Sequence, residues 1–443
     1  MIAWLPNLIF VILLLVAVGF FTKNVRQIIK NIKLGKDIDR SDQSGKRWSN
    51  MARIALGQSK MVKRPIAGIL HIVVYVGFIM INIELLEIIV DGILGTHRVF
   101  APYLGSFYNV LIGTFEVLAF LVLVSVVFFW LRRNVLRLQR FWKDEMKGWP
   151  KLDADLILYF EIVLMGLFLS MNATDSLLQQ MGAVHYQQAG AFPISQFISP
   201  LFTGFSEATL VVLERSFWWL HIVGIFIFLN YLYYSKHLHI LLAFPNTFFA
   251  NLRPKGAFRN NTTVTQEVQL MLDPDADPYA VPDTSETEPD TFGASDVTDL
   301  NWVQLMNAYT CTECGRCSSV CPANQTGKRL SPRKIMMDTR DRLTEVGNHL
   351  RASNGKEVTD GKKLLDDYIS REELWACTSC NACTEACPVD IDPLSIIMDM
   401  RQYLVMEESA APTDLNNMMS NIENNGAPWP FNNQDRLLWA QDN

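Results

Sequence analysis

Eight cysteines in two matched stretches are the residues best suited to chemistry in this 443-residue chain. The stretches are CTECGRCSSVCP, which begins at Cys311, and CTSCNACTEACP, which begins at Cys377. In both, the spacing is C-x₂-C-x₂-C-x₃-C-P, which is typical of thiolates that bind iron–sulfur clusters. Zinc sites usually contain separated cysteine pairs, and disulfides would not explain two matching patterns. The cysteines therefore predict iron–sulfur chemistry.

The spacing predicts two [4Fe–4S] clusters, because the fourth cysteine of such a run usually ligates the other cluster. The expected ligands of the first cluster are Cys311, Cys314, Cys317 and Cys387. The expected ligands of the second cluster are Cys377, Cys380, Cys383 and Cys321. Near these cysteines the sequence offers no nucleophile or acid–base pair, so no catalytic residue is predicted there.

The segment between the two cysteine runs is long and reads as helical, in SPRKIMMDTRDRLTEVGNHL and again in KKLLDDYI. This pattern resembles the α-helical ferredoxin domain of succinate dehydrogenase iron–sulfur subunits and of the heterodisulfide reductase C subunit. The resemblance implies two clusters close enough to pass electrons between them. The predicted boundaries of this domain are residues 301–408.

Five long apolar runs precede residue 245, and each is long enough, or nearly so, to cross a hydrocarbon core of about 30 Å. The first is expected to be a retained helix rather than a cleaved signal peptide, since its basic residues follow it. We predict an all-α fold in which residues 1–250 form a transmembrane bundle. The predicted helices are approximately 2–21, 66–90, 107–131, 155–172 and 216–244.

Basic residues are concentrated in the loops after the first and third apolar runs, in KNVRQIIKNIKLGK and RRNVLRLQRFWK. By the positive-inside rule, this asymmetry predicts an outside N-terminus and a cytoplasmic cluster domain. A reducing compartment suits unpaired thiolates, so topology and cysteine chemistry agree. The formal net charge of −6 carries no sign of nucleic-acid binding. The expected location is the cytoplasmic (inner) membrane of a bacterium or archaeon.

Histidines inside the predicted spans are candidate functional residues, because ionisable groups are expensive in lipid. His71 and His239 are both expected toward the inner side, where they would ligate one haem b. His221 and His239 are 18 residues apart, which is five turns of a continuous helix. His221 would therefore lie on the same face as His239 but toward the outer side. Histidines without a metal are the alternative for all three residues.

The stretch WLHIVGIFIFLNYLYYSKHLH resembles the last helix of the nitrate reductase gamma subunit, a five-helix dihaem cytochrome b with an outside N-terminus. In that family the second helix supplies two partner histidines. Here His71 matches the first, whereas Ile81 and Asn82 stand near the second. The resemblance thus implies one haem b, and a second only if His221 finds another ligand such as His97. Alternatively, His221 and Asn82 form a quinone pocket.

Two further segments complete the predicted organisation of the chain. Residues 251–300 contain an acidic, proline-rich stretch, DPDADPYAVPDTSETEPDTFGASD, which is predicted to be a linker. Residues 409–443 contain Trp429 and Trp439 and resemble the segment that precedes a CCG-type module in heterodisulfide-reductase-like proteins. We expect this tail to dock a separate subunit, with a cap on the same domain as the alternative.

Together these parts resemble the fused membrane and iron–sulfur subunits of heterodisulfide-reductase-like complexes, whose relatives serve as quinone oxidoreductases for electron-transfer flavoprotein. The resemblance implies electron transfer between a cytoplasmic partner and membrane quinone, such as menaquinone, through two clusters and haem b. The implied partner is a CCG-domain protein like heterodisulfide reductase B, or an electron-transfer flavoprotein. A redox sensor and a structural iron–sulfur anchor without quinone turnover remain alternatives.

Overall fold

The computed structural model describes residues 4–275, 291–356 and 360–440. Within these ranges, every secondary-structure element is a helix. The all-α fold class is therefore confirmed. The molecule has two parts, a bundle of long apolar helices and a domain of short helices around the cysteines.

Five helices are long and apolar enough to cross a membrane, as the sequence predicted. Their observed bounds extend beyond most of the apolar runs, because polar segments continue the helical conformation at several ends. The five helices are α1 Leu5–Ile32, α3 Pro65–Leu94, α5 Ser106–Trp130, α6 Trp149–Met181 and α7 Glu207–Tyr231. A short helix, α2, covers Ser44–Met51, and a single turn, α4, covers Ala101–Leu104.

The fifth long helix differs from the prediction of a continuous helix over 216–244. After α7, a 3₁₀ turn reaches Tyr234, and the backbone at Ser235 is extended (φ −112°, ψ 145°). The Ser235 hydroxyl then accepts a hydrogen bond from the backbone N–H of His237, which starts the next turn. A new helix, α8, covers His239–Phe248. The argument that placed His221 and His239 on one face of one helix was therefore wrong.

Helix packing in the bundle places α7 against α6 and α1, while α5 lies between α3 and α6. The buried centre contains Phe10, Val126, Phe168 and Ile222. Many other leucine, isoleucine and valine side chains of these helices face outward and are exposed. Outward apolar side chains are expected where the surrounding solvent is hydrocarbon, since lipid is as apolar as leucine.

The cysteine-containing domain is built from one long helix and several short ones. Its core is continuous with the end of the bundle, because Ile28, Leu232 and Leu238 belong to the same buried apolar cluster. The helices are α10 Trp302–Thr310, α11 Arg316–Val320, α12 Pro322–Gln325, α13 Pro332–Ala352, α14 Leu364–Asp367, α15 Arg371–Trp375, α16 Ala382–Ala386 and α17 Pro393–Met406. The preceding helix, α9, covers Thr262–Leu272.

The last turns of α1 hold this domain against the bundle. Asn31 is buried, and its side-chain amide donates a hydrogen bond to the Tyr309 hydroxyl at 2.8 Å. Gly347 of α13 lies so close that a Cβ atom there would be 2.2 Å from Asn31 Oδ1. Glycine permits this close approach because it has no Cβ atom. Through its contacts with Tyr309 and Gly347, α1 belongs both to the bundle and to the cysteine domain.

The predicted linker over 251–300 divides in the structure. Residues 276–290, with most of its acidic stretch, lie outside the described residues. Ala294, Val297 and Leu300 are buried in the core of the cysteine domain. The packed part of this domain therefore begins before the predicted boundary at Asn301.

The C-terminal tail contains one further helix, α18, over Thr413–Asn425, which has no buried residue. Met418, Met419 and Ile422 on this helix are exposed, as are the later Trp429 and Trp439. An exposed row of large apolar side chains is more typical of a docking surface than of a cap. The last three residues of the tail lie outside the described ranges.

Candidate metal centres

The two cysteine runs adopt the same backbone conformation. In the first run, Glu313 and Gly315 are left-handed, with φ of 54° and 69°. In the second run, Ser379 and Asn381 are left-handed at the corresponding positions, with φ of 56° and 58°. A left-handed conformation is uncommon in residues other than glycine. Because this conformation is repeated, both runs present their cysteines in the same way and would suit the same kind of ligand.

A short helix follows the third cysteine in each run. These helices, α11 and α16, each have five residues and pack against each other. Both end at a cysteine with an extended backbone, Cys321 and Cys387, and proline follows each. The packing of α11 on α16 carries the fourth cysteine of each run toward the other run.

The structure brings the cysteines together in two crossed groups. A cavity of about 20 Å³ is lined by four of them. These four are Cys311, Cys314, Cys317 and Cys387. In the second group, Cys377 lies near enough to Cys321 and Cys380 to interact with their charges, and Cys383 interacts with Cys377. The cysteines that the spacing assigns to each cluster therefore lie near one another, and their role as cluster ligands stays a prediction.

Burial disfavours the deprotonated, charged form of these cysteine side chains. It raises the pKa of the Cys311 thiol to about 11 and that of Cys383 to about 12. Burial and the neighbouring cysteines also raise the pKa of Cys317 and Cys387. A bound metal reverses this balance, because a coordinating thiol is deprotonated outright. Donor type, grouping and burial therefore fit clusters that load with release of protons.

Backbone N–H groups point at several sulfur atoms. Ile391 N–H donates to Cys387 Sγ at 3.3 Å, and Ser379 N–H donates to Cys377 Sγ at 3.4 Å. Such hydrogen bonds tune the reduction potential of a cluster. Cys380 is the only exposed cysteine, whereas the other seven are buried or half-buried. The second group therefore lies nearer to the surface at this residue.

Three histidines meet at the end of the bundle that carries the cysteine domain. His71, from α3, is close enough to His239 for their charges to interact, and His237 interacts with both. The rings of His237 and His239 are edge to face, with centroids 5.5 Å apart. Burial lowers the pKa of His237 to about 3 and also lowers that of His239. Both imidazoles are therefore neutral and can offer a lone pair.

The donor atoms at this cluster fit a metal with axial histidine ligands. His239 Nδ1 lies 3.0 Å from the carbonyl oxygen of Lys236, so Nδ1 carries the proton and Nε2 has a free lone pair. His71 Nδ1 is buried without a hydrogen-bond partner among the described residues. A backbone carbonyl on one ring nitrogen is the usual support of a metal-binding histidine. The side chains present therefore fit haem b.

His221 lies apart from this cluster, in the core of the bundle. Its Nδ1 is 3.0 Å from the Leu164 carbonyl oxygen, and its ring faces Phe168. His97, the suggested second ligand, instead lies with Nε2 3.2 Å from Asp175 Oδ1. Asn82 donates to the Phe78 carbonyl oxygen within its own helix. The structure therefore brings neither His97 nor Asn82 to His221.

A buried ion-pair network joins the histidine cluster to the first cysteine run. Glu313, between Cys311 and Cys314 in sequence, accepts hydrogen bonds from Lys236 Nζ and from Arg340 Nη1, the latter at 2.7 Å. Burial alone would raise the pKa of Glu313, but Lys236 and Arg340 hold it below its ordinary value. Lys236 immediately precedes His237, so the network fixes the cysteine domain to the histidine-bearing segment.

Replacing Glu313 with glutamine is expected to lower the free energy of unfolding by about 3 kcal/mol, because it leaves Lys236 and Arg340 without their buried partner. The matched control is Glu372→Gln, which breaks an ion pair with Arg329 whose side chains are 63% and 71% exposed. Its expected effect is about 1 kcal/mol or less. Urea unfolding of the detergent-solubilised protein measures both, and equal effects would contradict a structural role for the network.

The basic loop before α3 also contacts the first cysteine run and a residue just beyond the second. Arg64 Nη2 donates to Ser319 Oγ at 2.6 Å, and Lys60 Nζ lies 2.6 Å from Asp390 Oδ1. The buried Arg316 donates to the Lys60 carbonyl oxygen at 3.0 Å. These basic residues therefore hold the cysteine domain in place.

Sequence reasoning missed His237 and Glu313 as functional candidates and did not single out Glu84. On a continuous helix, His237 would lie 16 residues from His221 and nearly on the opposite face, but the break at Ser235 removes that argument. A comparison of the two cysteine runs could have singled out Glu313, since serine stands at the matching position. For Glu84, the sequence offers no signal that separates it from other acidic residues of the apolar runs, such as Glu87 and Glu116.

Comparisons with known proteins agree with the cysteine chemistry. Residues 310–391 match the 4Fe-4S dicluster domain. The probable iron-sulfur-binding oxidoreductase FadF of Bacillus subtilis is 29% identical, over 98% of this chain and 61% of that protein. The EtfAB:quinone oxidoreductase of Syntrophomonas wolfei is 26% identical, over 92% of this chain and 55% of that protein.

A third relative is similar over a shorter part of this chain. It is a protein of Archaeoglobus profundus that is itself like the C subunit of heterodisulfide reductase, and it is 28% identical, over 28% of this chain and 52% of that protein. No solved structure matches the chain. The chain thus spans about 60% of the length of its long relatives. It carries a 4Fe-4S dicluster domain and is related to iron–sulfur oxidoreductases and to the C subunit of heterodisulfide reductase.

Proposed function

We propose that this protein transfers electrons between a cytoplasmic redox partner and a membrane quinone, through two [4Fe–4S] clusters and haem b. The observation that carries the proposal is the junction of Glu313 with Lys236. It joins the cysteine run that would hold the first cluster to the segment that would hold the haem. A rigid junction keeps two redox groups at a constant separation, which electron transfer requires.

The chain supplies ligands and positions for these groups. The two crossed sets of four cysteines would hold the clusters, and His71 and His239 would hold the haem. Haem b would supply one-electron transfer between the clusters and the quinone. The N–H groups aimed at Cys377 and Cys387 would adjust the cluster potentials, and the buried ion pairs would keep the cluster domain against the bundle.

The proposed orientation has the N-terminus outside and the cluster domain in the cytoplasm. The basic loops that follow α1 and α5 support it through the positive-inside rule. Cys380, which is exposed, would mark the side where the soluble partner docks. The exposed apolar residues of α18 and the tail would add to that surface. A CCG-domain protein or an electron-transfer flavoprotein is the proposed partner, and similarity to the EtfAB:quinone oxidoreductase supports the second.

The test is reoxidation of the reduced protein by quinone. Detergent-solubilised protein is reduced with dithionite under argon and mixed with decylubiquinone in a stopped-flow instrument. We expect the cluster absorbance to recover at about 10 s⁻¹, which is a typical enzymatic rate. A mixing experiment without quinone is the control. Clusters that stay reduced in the presence of quinone would reject the proposal and favour a redox sensor or a structural anchor.

A further inference from the structure

A cavity of about 390 Å³ lies at the end of the bundle remote from the cysteine domain. The first residues of α1 line it, whereas the last residues of α1 contact the cysteine domain. Likewise, Arg64 at the start of α3 contacts Ser319, whereas Glu84 and Asp91 toward its other end line the cavity. Since the 30 residues of α3 span about 45 Å, the hydrocarbon core would separate the cavity from the clusters.

Two acids of this cavity, Glu84 and Asp175, have a buried oxygen without a hydrogen-bond partner within the described structure. Asp175 forms ion pairs with Arg98 and His97, whereas Glu84 forms none among the described residues. The side chain of Glu84 is 96% buried, and its Oε2 has no hydrogen-bond partner in the part of the chain that the structure describes. Its neighbour Glu87, by contrast, accepts hydrogen bonds from the Tyr108 hydroxyl at 2.7 Å and from the backbone N–H of Phe100 at 2.8 Å. Burying a carboxyl group without a partner is costly. Its position in a cavity therefore points to a polar ligand that pairs with it.

The other charges of the cavity are paired with one another. Arg98 donates to Asp175 Oδ2 at 2.5 Å, and His97 lies on the other oxygen of the same carboxylate. Arg215 donates to Glu214 at 2.6 Å. Among the described residues that line the cavity, these pairs leave no spare positive charge for an anionic ligand. The ligand that meets Glu84 is therefore expected to be neutral.

Aromatic rings form one wall of the cavity. The rings of Trp218 and Trp219 are edge to face, with centroids 5.2 Å apart. Phe10 packs against both, at 5.6 Å and 6.3 Å. An aromatic wall together with a single unpaired carboxyl group suits a flat ring that carries a polar oxygen. The volume is also within the usual range for small-molecule sites, about 300–1,000 Å³.

We propose that this cavity binds the head group of the quinone and that Glu84 exchanges a proton with it. This inference rests on the proposed function. It adds where the quinone binds and on which side of the membrane the quinone exchanges protons. For quinone reduction, two electrons arrive from the reduced clusters, and both carbonyl oxygens become hydroxyl groups. Glu84 gives one proton and becomes a carboxylate, and water from the same face gives the second. Glu84 then recovers its proton from that water, and the quinol leaves.

The first experiment compares Glu84→Gln with Glu161→Gln in the decylubiquinone mixing assay. Glu161 is a carboxyl group of α6 that does not line the cavity. Glutamine fills the space of Glu84 but has no carboxyl proton to exchange, so we expect reoxidation to slow about 100-fold. We expect Glu161→Gln to retain the wild-type rate. Iron and haem contents equal to those of the wild type establish that each variant is assembled.

A second variant, Ile88→Trp, blocks the cavity without changing its charge, because Ile88 is buried in the lining. We expect it to raise the decylubiquinone concentration needed for half-maximal rate at least about tenfold. Wild-type rates in both Glu84→Gln and Ile88→Trp would overturn the inference and leave the proposed function intact. Clusters that no quinone reoxidises, even in the wild type, would instead reject the proposed function.

The side of the membrane is tested on the wild-type protein, without any variant. Proteoliposomes contain pyranine inside and decylubiquinone in the bilayer, and impermeant dithionite reduces only clusters that face outward. Protein-free liposomes are the control. We expect the lumen to become alkaline, because the protons are taken up on the face opposite the clusters. A lumen whose pH does not change during quinone reduction would overturn the inference.

Discussion

Replacing Cys387 with serine is expected to remove the same cluster as replacing Cys311, although 76 residues separate them in the chain. The physical reason is the packing of α11 on α16, which places Cys387 in the cavity lined by Cys311, Cys314 and Cys317. Serine lacks the soft sulfur donor that iron–sulfur clusters prefer. About half of the cluster iron should be lost, four of eight atoms for two cubane clusters.

Electron paramagnetic resonance of the reduced variants identifies which cluster is missing. Cys387→Ser and Cys311→Ser should share one spectrum, and Cys321→Ser should share another with Cys377→Ser. If each run instead held its own cluster, Cys387→Ser would resemble Cys377→Ser. Ser318→Ala, which lies within the first run but is not a predicted cluster ligand, is the control and should keep both signals.

Replacing His239 with alanine is expected to abolish haem b binding and to stop electron transfer from the clusters to quinone. The Lys236 carbonyl oxygen accepts a hydrogen bond from Nδ1 of His239. This bond orients the ring and leaves Nε2 free to bind a metal. Alanine removes this axial ligand, and His71 alone would leave the haem with one protein ligand. The pyridine haemochrome assay on the purified protein measures the loss.

The matched control is His237→Ala, two residues away in the same segment. The His237 ring packs against Phe228 and against the edge of His239, which suits a supporting side chain rather than a ligand. We expect this variant to keep its haem, with altered absorption bands. Haem loss in His237→Ala but not in His239→Ala would reverse the assignment. Cluster iron should be unchanged in both, which separates haem loss from unfolding.

Much of the fold could be predicted because its signals are local in sequence. An apolar run of about 20 residues predicts a spanning helix by its length alone, whichever helices it later contacts. The five apolar helices of the structure follow this expectation. Cysteine spacing is equally local, since three ligands within seven residues wrap one face of a cluster. Both cysteine runs accordingly adopt one backbone conformation.

The end of α7 is where local reasoning failed. Apolar and aromatic residues continue past Tyr231, and periodicity extended the helix to 244. In the structure the helix stops, and Lys236 reaches Glu313, 77 residues further along the chain. No local pattern contains that ion pair. His237 also lies beside His71 and His239, whereas the sequence had predicted only the proximity of His71 to His239.

The sequence by itself therefore determined the kinds of candidate ligand, their spacing and the number of apolar helices, because each depends on residues that are near one another in the chain. The tertiary structure decided which side chains meet. It grouped Cys387 with Cys311, joined Lys236 to Glu313, and placed Glu84 in a cavity whose other described charges pair with one another. These outcomes depend on contacts between distant segments, where burial and charge compensation, rather than local propensity, set the energy.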